Sequence, residues 1–328
     1  MSKIVKRIER DAGVPGLASI LAERLAPTDL QSLLLEVYRL RSERLEPAAV
    51  LAAYRDNRFV RPSAVAPSGL ARWEGIAFSE LPAGFEALAL SPVCPLGTNS
   101  AVAPVDQNWS VATVRNTEVV SDSTNVLALE CAVRRQDPGA RGPDGAVHLA
   151  ASHRLLRAQR YENPALLSHF SAFALCSAGR DVGNYGFEVT AAGLHIRFYL
   201  RALRAFLGSG VPLRVSVTDL SHTIPRDLLE SRLLQTIRPE FERVQCLLDE
   251  ARTRGQGYYS GLCFWVHAAG PAGRFLELVD GGAVDWTQRY LSDAKERLVI
   301  SGIGSERLCS EFAGGSPTSR TFGLRRGR

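Results

Sequence analysis

Apolar residues recur at helical spacing in the first part of the chain, then give way to runs of strand character. Residues 3–57 read as helices, and the stretch 30–40 carries leucines and a valine one turn apart. Pro27-Thr28-Asp29 offers that helix a start, with Thr28 as cap and Asp29 at the positive end. Glu46-Pro47-Ala48 opens another helix that runs to Tyr54, its proline in the first turn. Residues 58–63 break the pattern, which places a boundary within 56–68.

Beyond it, a short helix with Trp73 leads to an extended run, 85–92, that ends at Pro92. Turn signals and β-runs alternate over 93–136, with a loop or hairpin at Asp106-Gln107-Asn108 and a helix over 125–135. Ser121, Asp122, Ser123 and Thr124 are all good caps for that helix. Residues 134–145 form a polar Gly/Pro-rich loop. Two apolar strands over 148–181 flank a polar loop containing Asn163-Pro164. An amphipathic helix follows from 188 to 207, with Leu194, Phe198, Leu203 and Phe206 on its apolar side. A strand over 211–220 and helices over 225–252 come next. Three β-rich runs close the pattern. The second ends in Gly281-Gly282, which suits a sharp turn or a close approach to a ligand. The third ends in Gly302-Ile303-Gly304 before the charged pair Glu306-Arg307, at a strand-to-helix junction.

With 328 residues, 45% hydrophobic and 22% charged, the chain has the make-up of a soluble globular protein of one or two domains. No apolar run approaches the roughly 20 residues that span a bilayer. The basic N-terminus has no apolar core or cleavage site of a secretory signal. The expectation is a cytoplasmic protein without membrane contact. Six scattered cysteines show neither zinc-ligand nor disulfide spacing, and several, in apolar runs, read as buried thiols. Net charge is +5, and Arg320, Arg325, Arg326 and Arg328 crowd the end. Residues 311–328 read as a solvated basic tail, with a nucleic-acid footprint as the rival reading.

Ordered stretches of the chain resemble class II aminoacyl-tRNA synthetases, and histidyl-tRNA synthetase among them. Gly302-Ile303-Gly304-Ser305-Glu306-Arg307-Leu308 resembles the third class II motif, whose arginine lies against the triphosphate of ATP. Arg254-Gly255-Gln256-Gly257-Tyr258-Tyr259 resembles the Arg-Gly-Leu-Asp-Tyr-Tyr signature of histidyl-tRNA synthetase. Gly281, Gly282 and Asp285 match its Gly-Gly-Arg-Tyr-Asp. The strand–loop–strand of 148–181 has the shape of motif 2, with Arg157 as its arginine and Phe170 as the phenylalanine that stacks on adenine. Asp122 and Thr124 fall where the family holds the α-ammonium. Pro92 falls on the motif 1 proline at the dimer interface.

The resemblance implies an α+β fold over 65–310: an antiparallel sheet of about six strands flanked by helices. It also implies a homodimer. Residues 1–57, outside the resemblance, read as a helical appendage and a candidate docking segment for a protein partner. Arg157 and Arg254 become the catalytic candidates. Arg157, Phe170, Glu306 and Arg307 become the ATP site. Asp122, Thr124, Tyr258, Tyr259, Gly281 and Gly282 become the amino-acid site. ATP and Mg²⁺ are the implied cofactors, with Glu306 as one Mg²⁺ ligand or as an ion-pair partner of Arg307. The match departs at Gln159, Ala172 and Cys176, which replace polar motif 2 residues, and at Gly257, which replaces the signature aspartate. Two functions follow from this. One is ATP-dependent activation of an amino acid or related carboxylate, without an anticodon-binding domain. The other is a non-catalytic amino-acid-sensing or partner-binding subunit, like the histidyl-tRNA synthetase-like regulatory subunit of ATP phosphoribosyltransferase. A scaffold without ligand is the third.

Overall fold

The computed structural model describes residues 2–159, 168–271 and 273–312. Most of the polar loop between the two motif 2 strands, and the basic tail from 313 onward, lie outside the described residues.

The chain begins with helices α1 (Lys3–Ala12), α2 (Leu17–Ser19), α3 (Pro27–Ser42) and α4 (Pro47–Asp56). The helix expected to be capped by Thr28 is instead entered through Ala26, with Pro27 in its first turn. Proline there needs no cap bond, because its missing N–H is one the first turn leaves unpaired. None of these four helices contains a buried residue.

The body follows: α5 (Pro67–Ser79), β1 (Phe85–Ala87), β2 (Val93–Pro95), β3 (Val111–Ala112), β4 (Thr117–Val119), α6 (Ser123–Gln136), β5 (Val147–Leu156), β6 (His169–Arg180), α7 (Gly186–Leu207) and β7 (Leu213–Asp219). Then come α8 (Arg226–Leu229), α9 (Gln235–Ile237), β8 (Val244–Leu248), β9 (Leu262–Ala269), β10 (Phe275–Val284), α10 (Trp286–Leu291), β11 (Glu296–Gly304) and α11 (Ser305–Phe312). The run 85–92 pairs as a strand only over its first part, and 225–252 contains the strand β8 as well as helices.

Eight strands form one sheet in the order β1-β5-β6-β11-β10-β9-β7-β8. The six from β5 to β7 are antiparallel to their neighbours, and parallel strands β1 and β8 close the two edges. A small sheet, β2-β4-β3, lies beside it. Strand alternation sorts the side chains into two layers. Phe173, Leu175, Val215, Val217, Phe264, Val266 and Ile303 pack with Trp73 of α5 and Ile196, Phe198 and Leu203 of α7. Leu149, Ala151, Ala174, Cys176, Leu298 and Ile300 face the other way, onto Leu127, Ala128 and Cys131 of α6.

Gly281-Gly282 makes no sharp turn. Both lie inside β10, paired on both sides. A Cβ at Gly282 would sit 2.6 Å from the Leu262 carbonyl and 2.7 Å from the Tyr259 ring. The pair is small because a strand and an aromatic ring press against it.

Candidate active site

The α6 side of the sheet carries the site. One row of paired residues crosses it: Ala151, Ala174, Gly302, Asp280, Trp265 and Ser216. Three small residues leave the floor low on one side, and polar ones follow on the other.

Asp122 caps α6. Its Oδ1 accepts from the Thr124 backbone N–H at 3.0 Å and from Thr124 Oγ1 at 2.8 Å. Its Oδ2 pairs with Arg157 Nη2 at 3.2 Å. Arg157 leaves the end of β5, donates through Nε to the Ser121 carbonyl at 2.9 Å, and lies 5.2 Å from the Phe170 ring centroid. The cap and the ammonium-binding position are therefore the same carboxylate, already engaged by an arginine.

Tyr258 and Tyr259 meet edge to face, centroids 5.0 Å apart. Each is half-buried. Burial, with the Asp122 carboxylate next in weight, pushes the Tyr258 phenol well above its usual range. Burial, with Asp280 next, does the same to Tyr259. Both stay neutral donors at any physiological pH. Asp122, Thr124, Arg157, Phe170, Tyr258 and Tyr259 thus form one connected group, closed from beneath by Gly282.

The other arginines stand elsewhere. Arg254 is largely exposed and forms a bidentate pair with Glu277 at 2.9 and 3.0 Å. Arg307, in the first turn of α11, is exposed and has no ion-pair partner among the described residues. Glu306 is buried and pairs with Arg154 Nη2 at 2.7 Å rather than with Arg307. No contact joins Arg157, Arg254 and Arg307 into a single clamp among the described residues.

Several residues of this region escape a reading of the sequence. Arg252 has a fully buried side chain, paired with Asp280 at 2.9 Å and stacked 3.8 Å from the Trp265 centroid. In the polar stretch 251–254 it reads as surface charge. Glu118, wholly buried, accepts from Gly97 N, Asn99 N, Asn99 Nδ2 and Gln107 Nε2 at 2.6–3.2 Å. It thereby fixes the segment beneath the start of α6. Arg58, just past α4, donates to the Gln159 carbonyl at 2.9 Å and Ser168 Oγ at 2.7 Å. It holds both stems of the loop that separates Arg157 from Phe170. The one usable signal was alternation in β9, where Cys263, Trp265 and His267 share a face opposite Phe264 and Val266.

No protein-family model matches the chain, and no curated protein matches it in sequence. Solved structures do match. The apo histidyl-tRNA synthetase of S. aureus aligns over 78% of this chain and 71% of its own, with a TM-score of 0.55 and 13% identity. An ATP phosphoribosyltransferase regulatory subunit/histidyl-tRNA synthetase from Bacillus halodurans aligns over 78% of this chain and 84% of its own, with a TM-score of 0.56 and 13% identity. The chain has a class II aminoacyl-tRNA synthetase-like fold. At such identity the likeness concerns the fold. No described helix is long and apolar enough to cross a membrane.

Proposed function

We propose that the α6 face binds an amino acid or related small carboxylate and activates it with ATP. The observation that carries this is the connected group of Asp122, Thr124, Arg157 and Tyr258. Asp122 and Thr124 offer acceptors to an ammonium, and Arg157 offers a planar fork to a carboxylate or phosphate. In the activation step a substrate carboxylate oxygen bonds to the α-phosphorus of ATP, and the bond to pyrophosphate breaks. Arg157 meets the charge that develops there. Phe170 and Arg307 are the remaining candidates for holding the nucleotide.

Glu306 does not fit a Mg²⁺ ligand, since its carboxylate is buried against Arg154. Among the described residues no three His, Cys, Asp or Glu side chains converge on a metal position. Mg²⁺ would enter on the nucleotide's own phosphates, and no step is assigned to it.

A second reading, amino-acid sensing without activation, has a specific observation in its favour: the Arg254 guanidinium is occupied by Glu277 and turned to solvent. Pyrophosphate exchange with ATP across an amino-acid panel separates the two. Activation predicts exchange and its abolition by Arg157→Ala, which removes the guanidinium that meets the developing charge. Sensing predicts no exchange but a melting temperature raised by one amino acid. If neither appears, both fail.

A further inference from the structure

We propose that Arg252 and Trp265 form a second subsite on this face, which takes a side-chain carboxylate of the bound amino acid. The assignment deepens the proposed function by naming its substrate class, an acidic amino acid, and rests on that reading for the ammonium end.

Arg252 is held on two sides. Its Nε donates to the Arg254 carbonyl at 2.9 Å and its Nη2 to Asp280 Oδ1 at 2.9 Å. The third nitrogen, Nη1, is buried and has no partner. Trp265, on which the guanidinium stacks, buries an indole Nε1 that also lacks one. His267, two residues on along the same face, buries an unpartnered Nδ1. Buried polar groups are ordinarily paired, so several orphans on one patch require explanation.

Guanidinium and indole N–H groups only donate, so the missing partner is an acceptor. A carboxylate supplies two oxygens that accept and nothing that donates. A carboxamide supplies one accepting oxygen instead of two and brings two N–H donors of its own. The nearby charges are already matched, Arg252 with Asp280 and Arg254 with Glu277. A single negative charge therefore suits the patch better than a doubly charged phosphate. The patch is continuous with the group around Asp122: the Arg252 guanidinium lies 5.7 Å from the Tyr259 ring, and Tyr259 abuts Tyr258. An ammonium at Asp122 and a carboxylate at Arg252 describe the two ends of one ligand.

The test is binding by the full chain of aspartate, glutamate, asparagine, glutamine and leucine, read by calorimetry and melting temperature. An acidic amino acid should bind at least about tenfold tighter than its amide, the loss expected when a buried charge-assisted bond is removed. Trp265→Phe keeps the stacking surface and deletes only the indole N–H. It should weaken that ligand by a similar factor without lowering the melting temperature of the free protein. Should Trp265→Phe fail to fold, Arg252→Lys keeps the charge beside Asp280, removes the fork and should give the same loss. Equal affinity for acid and amide, or unchanged binding by the variant that folds, overturns the proposal. Asp122→Asn separates the two claims. If amino acids bind through Asp122 with no preference for the acid, the subsite fails and the broader function stands. If an acid binds through Trp265 but indifferently to Asp122, the subsite stands and the ammonium site fails.

Discussion

His195 is an imidazole held by hydroxyls inside an apolar layer. Ser177 Oγ lies 2.9 Å from its Nε2 and Ser301 Oγ 2.8 Å from its Nδ1, while Ser301 donates to the Tyr199 hydroxyl at 3.2 Å. Burial, reinforced by the nearby His148 ring, lowers its pKa from 6.5 to about 3. The unfolded chain therefore binds a proton at this position between those values, and the folded one does not. Stability from this source is complete above pH 6.5 and drains away as pH falls toward 3. Between pH 7.5 and 4.5 it should cost roughly 2–3 kcal/mol. Urea unfolding of wild type and His195→Gln at both values checks this. The variant, though weaker at pH 7.5, should show a pH dependence smaller by that amount; parallel slopes would count against it. Nothing in the sequence signals this residue. A lone histidine in an amphipathic helix reads as an edge position, and the serines that hold it come from strands 18 and 106 residues away. Arg252 is hidden for the same reason. By contrast Asp122 was legible, because capping is a local property. Its pairing with Arg157, across 35 residues, was not.

Elements were easier to read than their partners. The helix 188–207, the two strands around the 160s and the strand ending at Gly304 all follow from periodicity. Which strand lies beside which does not, since pairing is nonlocal and only the motif resemblance ordered it. The join between α6 and β11 is an example. Arg135 and Glu296, side chains 1% and 4% exposed, pair through two bonds of 2.9 and 3.0 Å, with Arg180 3.6 Å from the same carboxylate. Removing Arg135 leaves the buried Glu296 carboxylate with only the longer contact to the half-exposed Arg180. Arg135→Met should therefore destabilise the fold by about 3–5 kcal/mol, and Arg135→Met with Glu296→Leu should recover much of that. Chemical denaturation of the single and double variants distinguishes this from simple loss of packing, for which the double variant would be worse.

At the scale of the whole molecule, one side of the body is unfinished. Leu88, Leu90, Val126, Leu129 and Val133 line an open cleft of about 400 Å³ beside the short edge strand β1. Val133, 62% exposed, stands at its rim. We expect a homodimer that closes this cleft, burying Pro92 near it. Light scattering should give twice the 35.7 kDa chain mass, and Val133→Arg should return the monomer. A wild-type monomer at micromolar concentration would refute it.

The four helices before Asp56 contain no buried side chain, while Leu33, Val37, Tyr38, Val50, Leu51 and Tyr54 stand exposed along them. In time rather than energy, this divides the molecule into two clocks. Amides over 3–56 need only a local opening to exchange with deuterated water, whereas those in the middle of β6 and β11 wait for the sheet itself to come apart. Deuterium should fill the first segment while the second is still protonated. Any partner that settles on those helices would then declare itself by slowing the fast clock and leaving the slow one untouched.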